Sequence, residues 1–561
     1  MSQIIIAGPS DKSREAVSDD ASGLSAGSVR TPPERAIRPR LAGWAHLLFV
    51  ALLALATTFH LPLDGPALDS FHEGEYAIYG GLPFNVVREG LPIFIHGGIN
   101  HIPSRLAASS CPEGRQIICI RAINGVFIAA TALGYLTVLM LITGVGTWRA
   151  FAAGLPAMTT LIAYNGGASD FTALHQGAPS IRELFIMSML ICIAVLSRYP
   201  ARLTVRSRFL LVGILGALAG FGLFWAYNRG LTAFILAGVG AVLFSVIWRD
   251  WRPIPLALVA GGAGLAVSIA LNIYGDLRGN VLNVLYWLAN SRLFWLPRNA
   301  EVWLTLLPAV LLSGGVFLAG SLHAWRGLHR GQASQAVFTV SLLGLIVLYA
   351  VQIHARPDIV HLRWTLWLVA LLAADLISVP AERATSPRDR TVLGSVSVLL
   401  SLALASYNFS SLASAPVRWF HGVAGNMAAL SAPAPSDIDL VSPGLRRAAE
   451  IVGAIGQRCT YSFSNDGLFY VIARIPPRSR FAYPVYVAPG YQSETISELD
   501  RLRPQIVLGR SQGQWNNIDG LGLEQRTPAL AQWLTEHYPF HLMLSGGYEL
   551  RAMQPISRDG R

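Results

Sequence analysis

Nine consecutive residues, Leu68-Asp69-Ser70-Phe71-His72-Glu73-Gly74-Glu75-Tyr76, hold three carboxylates and a histidine. A carboxylate partly withdrawn from water holds its proton more tightly and can act as a general base or acid near neutral pH. Oxygen-rich clusters also bind hard divalent cations, and many acidic loops are simply solvated. A second group of polar residues is spread over short segments elsewhere. These are Tyr164-Asn165-Gly166-Gly167-Ala168-Ser169-Asp170, His175 to Glu183, Tyr227-Asn228-Arg229, and His354 to Arg363. The arginine fork matches phosphate oxygens bidentately, and histidine adds a hydrogen bond or a proton. Asp69, His72, Glu73 and Glu75 are therefore the acid–base candidates. Arg182, Arg356, His361, His175 and Asp358 are the candidates for holding a phosphate-bearing group, and no metal-ligand set is assigned. Arg229 and Arg363 read more simply as snorkelling anchors.

Something must bring these segments together, and the apolar pattern says what. Only 13% of the 561 residues are charged and 53% are hydrophobic, against about 25% charged in soluble domains. Apolar runs of about 20 residues, long enough to cross a bilayer, start near Trp44, Ile120, Ala150, Glu183, Phe209, Leu231, Ile254, Val302, Ala336, Leu362 and Val392. That predicts about eleven spans, the third and fourth being short. Lys12 is the only lysine, so the net charge of +11 is carried by arginine. Alternating the spans from a cytoplasmic N-terminus puts arginine in every inner loop: Gly144 to Arg149, Arg198 to Arg208, Arg249 to Arg252, His323 to Arg330 and Ala381 to Arg390. This is the positive-inside pattern, and it argues against nucleic acid as the partner of the basic charge. All the candidate segments then fall on the outer side.

The expected organisation is a disordered cytoplasmic tail, 1–41, and a transmembrane domain, 42–409, with a long first outer loop, 61–117. A linker, 410–443, and a small α/β domain outside the membrane, 444–561, follow. In that domain Leu445 to Ile455, Glu494 to Leu502 and Pro528 to Glu536 read as helices, and Gln505 to Leu508 and Phe540 to Leu544 as strands. Cys111 and Cys459 both lie on the outer side, where a disulfide between them is an option. Cys192 sits in an apolar run, and Asp375, near the inner end of its span, reads as structural. The aromatics of the C-terminal domain, Phe481, Tyr483, Tyr486, Tyr491, Trp515 and Trp533, suit either a core or sugar stacking.

His72-Glu73-Gly74-Glu75-Tyr76-Ala77, then Arg88-Glu89-Gly90-Leu91-Pro92 and Ile95-His96-Gly97-Gly98, follow an acidic pair, a Gly-x-Pro-like turn and a His-Gly step. With the span count and the long first loop, they make the chain resemble the GT-C superfamily of integral-membrane glycosyltransferases. That superfamily includes the rhizobial galacturonosyltransferase, aminoarabinose transferase and protein O-mannosyltransferase types. The usual adjacent Asp-Glu pair is here His72-Glu73, with Asp69 three residues earlier, so the base stays open between Asp69 and Glu73. The resemblance implies a mainly α, polytopic helix bundle in a bacterial-type inner membrane. It also implies inverting transfer of a sugar from a polyprenyl-phosphate-linked donor to an envelope glycan, lipid or protein on the periplasmic side. A divalent cation could assist, but none is required. The competing functions are a transporter or flippase of a lipid-linked saccharide, which would need polar groups at the bilayer midplane, and a non-catalytic envelope assembly protein.

Overall fold

The computed structural model describes residues 41–67, 72–75, 111–112, 114–168, 177–223, 225–272, 285–287, 289–290, 300–355, 357–429, 435–511 and 521–556, with residues 106, 110, 174 and 282. Each of the eleven expected spans falls on a helix. They are α1 (Leu41–Ala56), α2 (Gln116–Thr143), α3 (Trp148–Leu161), α4 (Leu184–Arg198), α5 (Val205–Gly222), α6 (Tyr227–Trp248), α7 (Pro253–Asn272), α8 (Ala300–His329), α9 (Ala333–Ala355), α10 (Ile359–Arg383) and α11 (Pro387–Ala405). Among the described residues, eight helices are long and apolar enough to cross a membrane. The chain is a multi-pass membrane protein. Of the shorter ones, α3 continues as a π-helical turn, Ile162–Gly166, and α4 is entered through a 3-10 turn, Ile181–Glu183. Both short spans thus gain a turn at the same end of the bundle.

The bundle is organised around α10. Its residues Leu366 to Ala374 are fully buried or nearly so, packed among helices from both halves of the chain. A helix hydrophobic on every side belongs in the centre of such an assembly, with the other spans between it and lipid.

The C-terminal part holds α13 (Pro443–Ile455), α14 (Gly467–Ala473), α15 (Gln492–Leu502) and α16 (Pro528–His537) around a three-stranded antiparallel sheet. Its strands are β1 (Ile506–Arg510), β2 (Phe540–Met543) and β3 (Tyr548–Ala552), in the order β1-β3-β2. Most of the aromatics in question are core: Phe481, Tyr483 and Tyr486 are fully buried and Trp533 is nearly so. Trp515 lies outside the described residues. Two expectations need correction. Cys111 bonds to Cys119, eight residues away, and Cys459 is a free thiol. The stretch taken as linker is mostly helix, α12 (Phe409–Ala429). Its apolar residues are too few for a span, yet they gather on one side.

Candidate functional site

The acidic segment is placed by α2 and by the C-terminal domain. His72 to Glu75 form one helical turn. Arg121, 3% exposed near the start of α2, donates to both carboxylate oxygens of Glu73 at 3.0 Å. The same guanidinium donates to the carbonyls of Leu63 and Gly65 at 2.8 and 2.7 Å, which fixes the approach to the loop. The N-terminus of α2 is in turn held by Asp437, whose carboxylate accepts from the amides of Gln116 and Ile117 at 3.0 and 2.9 Å.

Gly74 meets Gly467 backbone to backbone: a β-carbon at Gly74 would fall 2.1 Å from the Gly467 carbonyl carbon. Two glycines are the only pair that lets the loop and the start of α14 come so close. Beside this contact, the Tyr486 phenol donates to Glu75, which is fully buried. Burial, and next the Glu75 charge, push the neighbouring Tyr483 phenol up. The Tyr486 carbonyl accepts from Tyr286 at 2.5 Å, and the Tyr286 hydroxyl accepts from the Ala488 amide at 3.0 Å. One segment of the C-terminal domain thus clasps two loops of the bundle. Glu75, expected among the acid–base residues, sits instead in this joint, cut off from solvent. His72 is half-buried on the same turn.

The basic residues converge at the mouths of α4, α6, α9 and α10. Ser180 and Glu183 form a capping box: Glu183 accepts from the Ser180 amide and hydroxyl at 2.8 and 2.5 Å, leaving its other oxygen for Arg229 at 2.6 Å. Tyr349 donates to that oxygen at 3.3 Å. The Arg229 guanidinium lies 4.2 Å from the Tyr349 ring centre and 5.0 Å from that of Trp364. The Trp364 ring also lies 5.5 Å from the Arg182 guanidinium and 4.3 Å from the His361 ring. His361 bonds through Nδ1 to Asp358 at 2.8 Å, the residue that caps α10. Arg182, His361 and Asp358 are therefore gathered around one indole. Asp69, His175 and Arg356 lie outside the described residues.

Arg182 is the exception among these charges. It is 5% exposed, and its guanidinium makes no ion pair among the described residues, where Glu183 is committed to Arg229 and Asp358 to His361. Its nearest favourable neighbour is the face of Trp364, a weak cation–π partner. Taking a guanidinium out of water costs several kcal/mol unless an anion offsets it.

One face of α2 joins the two groups. Arg121 holds Glu73. Seven residues on, Ile128 packs with Ile181 and Trp225, and the Trp225 indole donates to the Ile181 carbonyl at 2.9 Å. Between them Asn124 is 1% exposed, and neither side-chain amide atom has a partner among the described residues. Arg121, Arg229, Tyr349 and Tyr486 were not singled out from sequence as site residues. Arg121 and Arg229 carried a usable signal, a charge inside or at the edge of an apolar span. The spacing Ser180-x-x-Glu183 is a capping-box signature. Among the described residues, no group of three or more His, Cys, Asp or Glu could hold a metal ion.

No protein-family model matches the chain, and no curated protein does. The solved structures it is similar to include ArnT from Cupriavidus metallidurans in the apo state, with 15% identity, TM-score 0.46, and coverage of 91% of this chain and 98% of that one. ArnT from Cupriavidus metallidurans bound to undecaprenyl phosphate is similar at 13% identity and TM-score 0.49, covering 92% of this chain and 99% of that one. The Archaeoglobus fulgidus oligosaccharyltransferase complex with Zn and sulfate is similar at 11% identity and TM-score 0.42, covering 83% and 67%.

Proposed function

We propose that the chain is a membrane glycosyltransferase of the GT-C type, moving a sugar from a polyprenyl-phosphate donor to a cell-envelope acceptor. The observation that carries this reading is Arg182, a buried guanidinium with no ion pair among the described residues, set beside His361 and Trp364 at the mouth of the bundle. A lipid phosphate supplies the missing charge at the depth where such a headgroup rests. The end bearing the first loop and the C-terminal domain is the periplasmic one. Support for that comes from the arginine-rich loops at the opposite end and from the Cys111–Cys119 disulfide at this one, since disulfides persist in oxidising compartments.

In the reaction, a carboxylate takes the proton of the acceptor hydroxyl, whose oxygen attacks the anomeric carbon. The bond from that carbon to the phosphate oxygen breaks, its electron pair stays on the phosphate, and the configuration inverts. Arg182 and His361 hold the charge that develops there, the larger share of the stabilisation in transfers to an anionic leaving group. Both oxygens of Glu73 are occupied by Arg121, so Asp69 is the base and Glu73 fixes the loop that presents it. In the transporter reading, buried charge would gather at the midplane. Among the described spans it gathers instead at their ends, as Arg182, Glu183 and Arg229 at one and Arg198 with Asp375 at the other.

The test is purified protein in lipid nanodiscs, given a polyprenyl-phosphate-linked sugar and an envelope acceptor fraction. Sugar transfer should release polyprenyl phosphate one for one. Asp69→Asn should slow it at least about a hundredfold, the range of general-base catalysis, and Glu73→Gln less. Folded variants that both turn over at the wild-type rate would end this scheme, and movement of the lipid-linked sugar across the bilayer without transfer would establish the transporter.

A further inference from the structure

Helix α12 is amphipathic the wrong way round for a protein surface. The side turned to the bundle is polar or small. Arg418 donates to the Gly167 carbonyl at 3.1 Å. The Asn426 amide donates to the carbonyls of Phe59 and Leu61 at 3.0 Å each and accepts from the Leu63 amide at 3.0 Å. Between these two, a β-carbon at Gly422 would fall 1.6 Å from the His60 carbonyl oxygen, so the helix lies directly on the backbone there. The outward side reads Ala413, Val417, Phe420, Ala424 and Met427, spaced four, three, four and three residues apart. Three of them are bulky and far out: Val417 is 61% exposed, Phe420 74% and Met427 68%.

The inward contacts also fix how the helix runs. Just before its start, Asn408 donates to the Ala163 carbonyl at 2.6 Å, where α3 ends in its π turn. Near its far end Asn426 engages Phe59 and Leu61, just past the end of α1. These anchors stand 18 residues apart, about 27 Å of helix, and both sit at the end of the bundle that carries the first loop. A helix crossing the bilayer would reach opposite ends over that length. This one lies across the ends of two spans, and it follows α11 with only a 3-10 turn between them.

We infer that α12 lies in the membrane interface, its Ala413–Met427 stripe set into the lipid of the leaflet at the C-terminal-domain end. An apolar face of this kind, on a helix lying flat at the level where spans emerge, is the form that interfacial helices take. The bilayer is favoured over a protein partner because α12 runs on from α11, a span whose Val392, Val396, Leu399 and Leu402 are exposed, and because the stripe carries no charge. The seat has a consequence for the site. Trp419 packs on Gly166 and Arg418 holds Gly167, while Asn165 of the same turn clamps the Ala178 amide and the Pro179 carbonyl at 2.7 and 2.9 Å. That clamp lies just before Arg182. Lipid contact along α12 therefore sets the depth of the turn that presents Arg182.

The experiment needs no donor and so stands or falls apart from the proposed transfer. In a Cys192→Ala, Cys459→Ser background, Ala413→Cys, Val417→Cys, Phe420→Cys, Ala424→Cys and Met427→Cys variants are spin-labelled singly in lipid nanodiscs. Electron paramagnetic resonance then reads access to oxygen and to a nickel chelate. All five labels should favour oxygen, at one depth within about 5 Å and about 5–10 Å below the headgroups. Depth advancing about 1.5 Å per residue would mean a crossing helix, chelate access would mean water, and exclusion of both reagents would mean a protein cover such as a second copy. Each of these overturns the inference. For any variant that does not assemble, hydroxyl-radical footprinting of the wild-type discs reads the same face. Phe420 and Met427 should escape oxidation while the exposed His421 does not, and their oxidation would contradict a lipid cover.

Discussion

Helices α4, α9 and α10 carry a buried polar cluster at each end, and the two are built differently. At the end away from the C-terminal domain, Arg198 of α4 pairs with Asp375 of α10, and Thr339 of α9 donates to the other Asp375 oxygen at 2.8 Å. One cation meets one anion, and a hydroxyl bonds the second carboxylate oxygen. At the domain end Glu183 answers Arg229, with Tyr349 of α9 again supplying the hydroxyl, but Arg182 is added to that balanced pair. A closed pair locks helices together. A buried guanidinium with no ion pair among the described residues, at the head of the same helix, is where the proposed donor phosphate would bind.

That contrast can be broken from either side. The largest stability loss is expected at the balanced end: Arg198→Ala leaves Asp375 buried and unpaired, about 3–5 kcal/mol, read as a lowered unfolding midpoint in detergent. Glu183→Gln removes the carboxylate charge that faces Arg229 and should cost about 3 kcal/mol by the same logic, while the glutamine oxygen can still accept from the Ser180 amide. Tyr486→Phe removes a hydrogen bond to the buried Glu75 carboxylate, worth about 2 kcal/mol. Hydrogen exchange should show the loss locally, at residues 72–75. The smallest stability effect belongs to Arg182→Ala, under about 1 kcal/mol, because no ion-pair partner among the described residues is left behind. If Arg182→Ala unfolds the protein as readily as Arg198→Ala, the two ends are alike and the contrast fails.

The spans and the gathering of Arg182, His361 and Asp358 were legible in the sequence because each depends on local pattern: apolar runs of bilayer length, and cations at their mouths. Three of the helices of the C-terminal domain, α13, α15 and α16, were legible for the same reason, and so was the structural role of Asp375; α14, Gly467–Ala473, was not. Glu75 was misread because its partner, Tyr486, lies 411 residues away, and nothing local marks a carboxylate as part of a joint. Arg121 looked like the start of an apolar run, yet its guanidinium ties down Glu73 and two loop carbonyls. Pairing Cys111 with Cys459 followed from compartment alone. The observed bond to Cys119 needs only the short turn before α2. Helix α12 was passed over because its mean apolarity is modest, and the property that matters is which side the apolar residues take. Strand β3, Tyr548–Ala552, was not foreseen either: Tyr-Glu-Leu-Arg-Ala alternates apolar and polar residues, but the run is only five residues long and was passed over.

The most direct test is binding of a polyprenyl phosphate to the wild-type protein, Arg182→Ala and Arg198→Ala in nanodiscs, with unfolding midpoints recorded on the same preparations. Removing a charge-paired contact to phosphate costs about 2–5 kcal/mol, so Arg182→Ala should bind at least about thirtyfold more weakly with its midpoint nearly unchanged. Whatever Arg198→Ala stays folded should keep its affinity. Wild-type affinity in a folded Arg182→Ala protein would contradict the claim that the surplus guanidinium is where the lipid phosphate sits.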